Sequence, residues 1–175
     1  MMHSAYLLTG KPGTGKTSLI RQVVNDLKDK ADGFYTEEIS TGGIRQGFRL
    51  VTLTGESAVL AHVDIKSPCR VSKYGVDIRA LEETGIPALQ RACREGKVIV
   101  IDEIGKMEIF SDKFRQIVLD ILESQQKVLG TIMLKSDPWA DIIKQKPQVK
   151  LLFVTRNNHT QILTEIRYWL AAFQR

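Results

Sequence analysis

A short glycine-rich segment near the start of the chain constrains its fold more than any other feature. Residues 10–18 read GKPGTGKTS and match the pattern GxxxxGK[ST], in which a loop joins a strand to a helix. An apolar stretch at 5–9 precedes the segment, and apolar residues at helical spacing follow it as far as Leu27. These patterns predict a buried strand and an amphipathic helix on either side of the loop.

The chemistry of this pattern is phosphate binding. Glycines allow successive backbone N–H groups to turn inward around a phosphate, and the helix N-terminus adds unpaired donors and its dipole. We expect Lys16 to reach the β- and γ-phosphates of a nucleotide and the Thr17 hydroxyl to coordinate Mg²⁺. The residues expected to bind the nucleotide are Gly10, Lys11, Pro12, Gly13, Thr14, Gly15, Lys16, Thr17 and Ser18.

An acidic pair follows a second apolar run. Segment 97–103 reads KVIVIDE, so a buried strand delivers Asp102 and Glu103 to its C-terminal end, where open α/β sheets bind ligands. We expect Asp102 to hold the magnesium ion through a water molecule, and Glu103 to orient or deprotonate an attacking water. A carboxylate beside the metal-binding aspartate favours hydrolysis, because a nucleotide that is only bound needs no base near its γ-phosphate.

Two basic residues are candidates for a second cation at the transferred phosphate. Lys106 follows the acidic pair in IGKMEIFS, together with Glu108, and a cation there would stabilise the charge that develops during phosphoryl transfer. Solvation of the loop or an ion pair is an equally good interpretation of these two residues. Arg45, at the tip of a predicted hairpin, is the alternative, although an arginine at a hairpin tip is more often simply exposed.

The sequence contains no strong signal for base recognition. The guanine-reading pattern NKxD is absent, and the segment after the last predicted strand reads TRNNHT at 155–160. Arg156, Asn157 or Asn158 could face the base from this position, but asparagine is also an ordinary turn former. We therefore expect broad or weak base selectivity.

The remaining segments predict an α/β protein with an inserted β-rich region. Short β-prone runs between 33 and 62, separated by turn residues, predict an antiparallel meander, and a strand at 74–78 and a helix at 87–94 follow it. Strands then alternate with helices, and buried apolar runs such as VIVI predict a mainly parallel sheet covered on both faces. The expected segments are strands at 97–102, 127–133 and 149–154, and helices at 111–125, after Pro138 and at 160–173. Ser111 and Thr160 are the expected N-caps of the two long helices.

Composition limits the remaining possibilities. A chain of 175 residues with 43% hydrophobic content builds one full core, so we expect a single domain over 1–175. Its cysteines, Cys69 and Cys93, have no partners at metal-ligand spacing. The apolar stretch before the glycine loop is too short for a signal peptide or a membrane span. We therefore expect a cytoplasmic protein, a monomer without a membrane partner.

The net charge of +5 permits an acidic partner, which includes nucleic acid. The basic residues are scattered, however, and residues such as Arg91 are interpreted as part of solvated helix faces. Only 7% of residues are aromatic, and no basic stripe with interleaved aromatic residues is present for stacking on bases. Nucleic-acid binding is therefore possible but not indicated.

Several segments together resemble the THEP-type nucleoside-triphosphatases, the family that includes the cancer-related nucleoside-triphosphatase of vertebrates. The phosphate loop is shared by many families, whereas IDEIGKME together with the GFYT hairpin is far more specific. The resembling segments span nearly the whole chain: GKPGTGKTS at 10–18, GFYTEE at 33–38, GGIRQGF at 42–48, YGVD at 74–77, VIVIDEIGKME at 98–108, and the region of Asn158.

The resemblance implies a three-layer phosphate-loop fold of the RecA-like variant. It also implies hydrolysis of ATP, GTP and other nucleoside triphosphates to the diphosphate and phosphate, and we include Asn158 among the nucleotide-binding residues. The chain departs from the family's pattern at three positions, since Ser40 and His159 replace arginines and Ser72 replaces a glycine.

Two alternative functions remain open. In a nucleotide or small-molecule kinase, Glu103 or Asp102 would activate an acceptor hydroxyl instead of water, and residues 62–80 would form an acceptor site or lid. The basic residues of that region are Lys66, Arg70, Lys73 and Arg79. In a nucleotide-dependent nucleic-acid-binding module, slow hydrolysis would only reset a conformation.

Overall fold

A computed structural model describes residues 2–172 of the chain. The strands within this part join one sheet, in the order β5-β6-β4-β3-β2-β7-β8-β1-β9. In chain order the strands are β1 (Ala5–Thr9), β2 (Ala31–Thr41), β3 (Ile44–Thr52), β4 (Ser57–His62), β5 (Arg70–Val71), β6 (Tyr74–Val76), β7 (Val98–Ile104), β8 (Val128–Ile132) and β9 (Val149–Phe153).

Helices cover both faces of this sheet. They are α1 (Lys16–Leu27), α2 (Ile78–Ala80), α3 (Ile86–Arg94), α4 (Asp112–Glu123), α5 (Pro138–Lys144) and α6 (His159–Ala171). A π-helical segment, Leu81–Gly85, joins α2 to α3, and short 3₁₀ turns follow α1 and precede α4. Among residues 2–172, no helix combines the length and the apolar character that crossing a bilayer requires.

Five adjacent strands form the parallel part of the sheet. They are β9, β1, β8, β7 and β2, so β8 lies between β1 and β7. In β1, Leu7 packs in the core beneath α3, α4 and α5, whereas Leu8 packs in the core beneath α1 and α6. Burial on both faces explains the continuous apolar run of this strand. The predicted parallel sheet between two helix layers is confirmed.

The β-rich region extends this sheet along β2. Phe34 of β2 pairs in parallel with Ile101 of β7, while β2, β3 and β4 pair antiparallel in succession. The short strands β6 and β5 complete the edge. Ser72, in the turn between them, has φ 54°, a conformation that glycine adopts more readily. The predicted meander and the strand that starts at Tyr74 are confirmed.

One of the two predicted helix caps is wrong. The Ser111 hydroxyl accepts a 3.1 Å hydrogen bond from the Phe114 N–H, so Ser111 caps α4 as expected. Thr160 does not cap α6, because the helix begins at His159 and Asn158 occupies the N-cap position. The Asn158 side chain bonds the preceding turn, which lets the helix begin one residue earlier than predicted.

Arg91 is in a buried ion pair, so its interpretation as part of a solvated face was wrong. Its Nε and Nη2 atoms donate to the carboxylate of Asp32 at 2.6 and 3.2 Å. Asp32 is 1% exposed, and its Oδ1 also accepts a 2.7 Å bond from the Gly33 N–H. This pair joins α3 to the start of β2.

Candidate active site

The phosphate loop begins where β1 meets the segment after β9. The Val154 N–H donates a 2.8 Å hydrogen bond to the Thr9 carbonyl oxygen. A Cβ atom at Gly10 would lie 2.5 Å from the Val154 carbonyl oxygen. The close approach of these two backbones therefore requires the first glycine of the motif.

The loop ends beneath the first residue of α6. Gly15 has φ 88°, and a Cβ atom there would lie 2.6 Å from Cε1 of His159. The His159 Nε2 atom is also in hydrogen-bond contact with the Thr14 carbonyl oxygen. His159 thus supports the backbone directly before Lys16.

Lys16 lies across the loop that contains it. Its ammonium group donates to the carbonyl oxygens of Gly10 and Lys11, both at 2.9 Å. The Thr14 hydroxyl donates to the same Lys11 carbonyl at 2.8 Å. An ammonium group has three N–H donors, so one remains for a phosphate oxygen while the other two hold the side chain in position.

Asp102 lies on β7, beside the start of α1. It is 3% exposed, and its Oδ1 accepts a 2.7 Å hydrogen bond from the Thr131 hydroxyl. Burial raises the pKa of Asp102, and the hydroxyls of Thr131 and Thr17 and the charge of Lys16 oppose this increase. The structure therefore brings Asp102 together with both loop residues that the sequence assigns to metal and phosphate.

One oxygen of Asp102 is suited to a magnesium site. Its Oδ2 is buried and makes no hydrogen bond of ordinary geometry among the described residues, although the Thr17 hydroxyl is near enough to lower the pKa of this carboxyl. A buried oxygen without a full hydrogen bond is costly unless a ligand satisfies it. Magnesium prefers oxygen ligands and retains several waters. No cluster of three or more acidic, histidine or cysteine side chains within residues 2–172 could hold a metal. Thr17, Asp102, water and phosphate oxygens together fit the ion.

Glu103 follows at a break in the strand pairing. The ladder between β7 and β8 shifts register between Ile101 and Ile104, and the Asp102–Glu103 peptide bond is cis. The Glu103 side chain lies against Gly105, where a Cβ atom would be 2.5 Å from Oε1. Burial raises the pKa of Glu103, the charge of Asp102 raises it further, and Lys16 opposes the increase.

Glu108 is a third acid of the same site. The sequence leaves open whether Glu108 belongs to the site or to a solvated loop or ion pair, and a side chain that is only 3% exposed is not solvated. Burial and the charges of Glu103 and Asp102 raise its pKa well above the ordinary value, while the backbone N–H groups of Glu108 and Gly105 oppose the increase. Three carboxyl groups therefore share one buried region, and they cannot all ionise easily.

Two cavities flank the phosphate loop and share Gly10, Pro12 and Leu134. We call the larger one the acid-side cavity; it has a volume of about 660 Å³. Its walls include Lys16, Phe48, Leu60, Val71, Glu103 and Lys106. We call the other one the turn-side cavity, with a volume of about 510 Å³. Its walls include Lys11, Thr14, Phe153, Val154, Thr155 and Arg156.

Asn158 shapes the turn-side cavity. Its Oδ1 accepts a hydrogen bond from the Thr155 N–H, and its Nδ2 donates to the Phe153 carbonyl, both at 2.8 Å. These bonds hold the turn that carries Arg156, which lines the cavity. The Asn158 amide bonds backbone atoms of this turn, and its expected contact with the nucleotide stays a prediction.

The two candidate second cations lie in different places. Arg45 pairs with Glu38 on the neighbouring strand, and its guanidinium lies over the ring of Phe48, 5.4 Å from the centroid. Lys106 is exposed and lines the acid-side cavity together with Glu103. Lys106 is therefore the better placed of the two.

Sequence reasoning missed Thr131 and His159 as parts of the site. Thr131 lies in a buried strand and contacts Asp102, whereas His159 contacts the loop from α6. One sequence signal could have indicated them. Thr131 lies near the C-terminal end of a predicted strand and His159 follows another, and ligands bind at this edge of an open α/β sheet.

Comparisons with known proteins find related nucleoside-triphosphatases. A family model described as NTPase matches residues 5–167. The nucleoside-triphosphatase THEP1 of Thermotoga petrophila is 46% identical over 164 residues, covering 94% of this chain and 91% of that relative. The human cancer-related nucleoside-triphosphatase is 42% identical, covering 91% of this chain and 92% of the human protein. The crystal structure of THEP1 from Aquifex aeolicus is similar with a TM-score of 0.86 and 39% identity, covering 93% of this chain and 96% of that one.

Proposed function

The chain belongs to the NTPase family, as its resemblance to the THEP-type nucleoside-triphosphatases predicted, and we propose that it hydrolyses nucleoside 5′-triphosphates to the diphosphate and phosphate. One observation carries the proposal. Lys16 of the phosphate loop and the acids Asp102 and Glu103 of β7 meet at one site, where Asp102 is buried and the other two are half-buried, and the charge of Lys16 acts on both acids.

The triphosphate binds with its terminal phosphates at Lys16. Backbone N–H groups of the loop and of the α1 N-terminus donate to the phosphate oxygens. The nucleoside then extends to the turn-side cavity, where Arg156 and the turn held by Asn158 contact it. An arginine side chain and a backbone turn distinguish the bases weakly, so ATP, GTP and other triphosphates are substrates.

Magnesium, when bound, neutralises charge on the β- and γ-phosphates. Thr17 and Asp102 would hold it. The support for this assignment is the buried Oδ2 atom of Asp102, which makes no hydrogen bond of ordinary geometry among the described residues. Thr131 keeps the other oxygen occupied.

Glu103 orients and deprotonates the water that attacks the γ-phosphate. The water oxygen forms a bond to the γ-phosphorus, the bond to the β–γ bridging oxygen breaks, and the diphosphate leaves. The water proton passes to Glu103, which is a stronger base than an ordinary glutamate because burial raises its pKa. Lys106 adds a second cation on the same side of the phosphate.

Phosphate release from ATP, GTP, CTP and UTP, with and without magnesium, tests the proposal. The wild type should hydrolyse all four only with magnesium, and Lys16→Ala should lose both binding and turnover. Glu103→Gln should keep nucleotide affinity and lose about 10²- to 10⁴-fold in turnover. Unchanged phosphate release in Glu103→Gln would remove Glu103 from the mechanism. A preference for one nucleotide on the order of 10²-fold or more would contradict broad selectivity.

The role of Lys106 has its own matched comparison. Lys106→Ala should lower kcat by at least about tenfold without changing the Kd of the nucleotide, because the cation acts on charge that develops in the transition state. Arg45→Ala is the control, since Arg45 is paired on the hairpin, and it should leave both constants unchanged. If Arg45→Ala lowered kcat and Lys106→Ala did not, Arg45 would be the second cation instead of Lys106.

A further inference from the structure

The acid-side cavity is larger than hydrolysis requires. Its volume of about 660 Å³ lies within the range of small-molecule sites, about 300–1,000 Å³. An attacking water, with a share of liquid volume of about 30 Å³, needs only the end beside Glu103. The cavity continues from there to the antiparallel strands, where Phe48, Leu60 and Val71 line it.

The nucleoside of the triphosphate does not occupy this space. Lys16 and Glu103, which act at the terminal phosphate in the proposed function, line the acid-side cavity. Thr155 and Arg156 line the turn-side cavity, on the other flank of the loop. A triphosphate with its γ-phosphate at Lys16 and its nucleoside beside Arg156 therefore leaves the acid-side cavity open to a second molecule. This step rests on the proposed function.

The walls of the cavity determine what that molecule can be. Phe48, Leu60 and Val71 present apolar surface at the end away from the phosphate loop. Of the neighbouring basic residues, Arg70 donates to the Lys73 carbonyl oxygen at 2.9 Å, so its charge is directed at the β5–β6 hairpin. The charged residues that line the cavity belong to the phosphate loop, to the end of β7 and the segment after it, and to the segment after β8; they are Lys16, Glu103, Lys106, Glu108 and Lys135. An ionic group placed among Phe48, Leu60 and Val71 would therefore lose hydration without gaining a partner there. The part of the cavity that these three residues line suits an uncharged body.

We propose that the acid-side cavity binds an uncharged small molecule with an apolar ring and a hydroxyl group, and that the protein transfers the γ-phosphate to that hydroxyl. The hydroxyl lies at the Glu103 end and the ring lies between Phe48, Leu60 and Val71. The hydroxyl oxygen forms a bond to the γ-phosphorus as the bond to the β–γ bridging oxygen breaks. The electron pair leaves with the nucleoside diphosphate, and the hydroxyl proton passes to Glu103 and then to solvent.

Transfer and hydrolysis then compete at one site. A bound alcohol excludes water from the Glu103 end of the cavity, so phosphate monoester forms at the expense of inorganic phosphate. A molecule of the same shape without a hydroxyl also excludes water but cannot accept the γ-phosphate, so it slows hydrolysis. These two responses distinguish an acceptor site from a nonspecific solvent effect.

Labelled ATP tests this directly on the full chain. The protein is incubated with γ-³²P-ATP, magnesium and, separately, benzyl alcohol, 2-phenylethanol, thymidine and uridine, with benzyl methyl ether as the probe that lacks a hydroxyl. We expect labelled monoester with at least one alcohol and slower phosphate release with the ether. Label found only in inorganic phosphate with every alcohol overturns the proposal. Absence of phosphate release in the reaction without alcohol would instead overturn the proposed function.

A cavity-filling variant localises the site. Val71→Trp places a large ring in the cavity, and Val59→Trp is the control at a 40% exposed neighbour of Leu60 on β4. The measured quantity is the ratio of labelled monoester to inorganic phosphate, which does not depend on how much protein is folded. We expect this ratio to fall at least about tenfold in Val71→Trp and to stay unchanged in Val59→Trp. A ratio equal to that of the wild type in Val71→Trp would place any acceptor elsewhere.

Discussion

The hydroxyl of Thr131 donates a 2.7 Å hydrogen bond to Oδ1 of Asp102. Both side chains are buried, at 1% and 3% exposure. The contact exists because β8 lies between β1 and β7, so that a residue of the intervening strand reaches the acid on its neighbour. One carboxylate oxygen is thereby occupied, and Oδ2 is the oxygen that the proposed magnesium site would use.

Thr131→Val should weaken metal binding. Valine has nearly the same shape but no hydroxyl, so Oδ1 loses its donor in a buried position. Loss of a partner that orients a metal ligand typically costs about 10- to 100-fold in metal affinity or activity. The magnesium concentration for half-maximal phosphate release should therefore rise by about that factor in a titration at saturating ATP. Thr131→Ser restores the donor and should behave as the wild type; an unchanged titration in Thr131→Val would show that the bond does not tune the metal site.

Gly105→Ala should displace Glu103, the proposed catalytic base, without removing it. A Cβ atom at this position would lie 2.5 Å from Oε1 of Glu103, so the carboxylate must move. Misplacement by about 1 Å can cost on the order of 10²-fold in rate. We expect kcat to fall by that order while the Kd of a nonhydrolysable ATP analogue stays unchanged. A normal kcat would mean that Glu103 can occupy another position and still act.

The rate of hydrolysis should decrease as the pH falls through the raised pKa of Glu103. Burial and the charge of Asp102 raise this pKa above the ordinary glutamate value of about 4.3, and a base accepts a proton only when it is ionised. The profile of kcat/KM, which reports the free enzyme, should show an acidic limb above that ordinary value. The residual activity of Glu103→Gln should show no such decrease at acidic pH. Circular dichroism at each pH checks that the protein is still folded where the activity decreases.

Glu108→Gln should stabilise the protein more at pH 8 than at pH 5. The folded-state pKa of Glu108 is raised well above the ordinary value, so the folded state holds a proton that the unfolded chain releases above about pH 4.3. Stability that depends on this group is complete below that pH and is lost as the pH rises through the raised pKa. Glutamine stays neutral throughout. Thermal unfolding should show a gain in Tm larger at pH 8 by at least about 2 °C; an equal shift at both pH values would show that Glu108 ionises normally.

Arg91→Ala should lower stability without altering the nucleotide site. The substitution leaves Asp32, which is 1% exposed, without its paired cation, and breaking a buried pair in this way costs about 3–5 kcal/mol. Because the Arg91 side chain is 24% exposed, we expect a loss near 3 kcal/mol in the free energy of unfolding, measured by urea denaturation. Arg94→Ala, one turn further along α3, is the control and should cost less than about 0.5 kcal/mol. Equal losses in both variants would mean that helix propensity, and not the ion pair, is responsible.

The sequence alone determined the features that depend on neighbouring residues. A loop that must approach the backbone at Val154 needs glycine at position 10, and a strand buried on both faces needs an unbroken apolar run, so β1, the phosphate loop and α1 were predictable. The same holds for the acids after β7, since the end of a parallel strand is also its ligand-binding edge. Each of these features leaves a pattern in a short segment of the sequence, and such a pattern can be recognised without knowing the rest of the fold.

The tertiary structure alone decided which side chains meet across the fold. Nothing in the chain around Thr131 indicates that β8 inserts between β1 and β7, and nothing around His159 indicates that α6 begins against the phosphate loop. Threonine is a residue type that caps helices, so Thr160 was a reasonable prediction from the sequence. In the structure, the Asn158 amide bonds the turn after β9 and α6 begins at His159. The order of strands and the packing of helices follow from the total burial of apolar surface, which is a property of the whole chain, so contacts between distant residues cannot be read from either residue's neighbours.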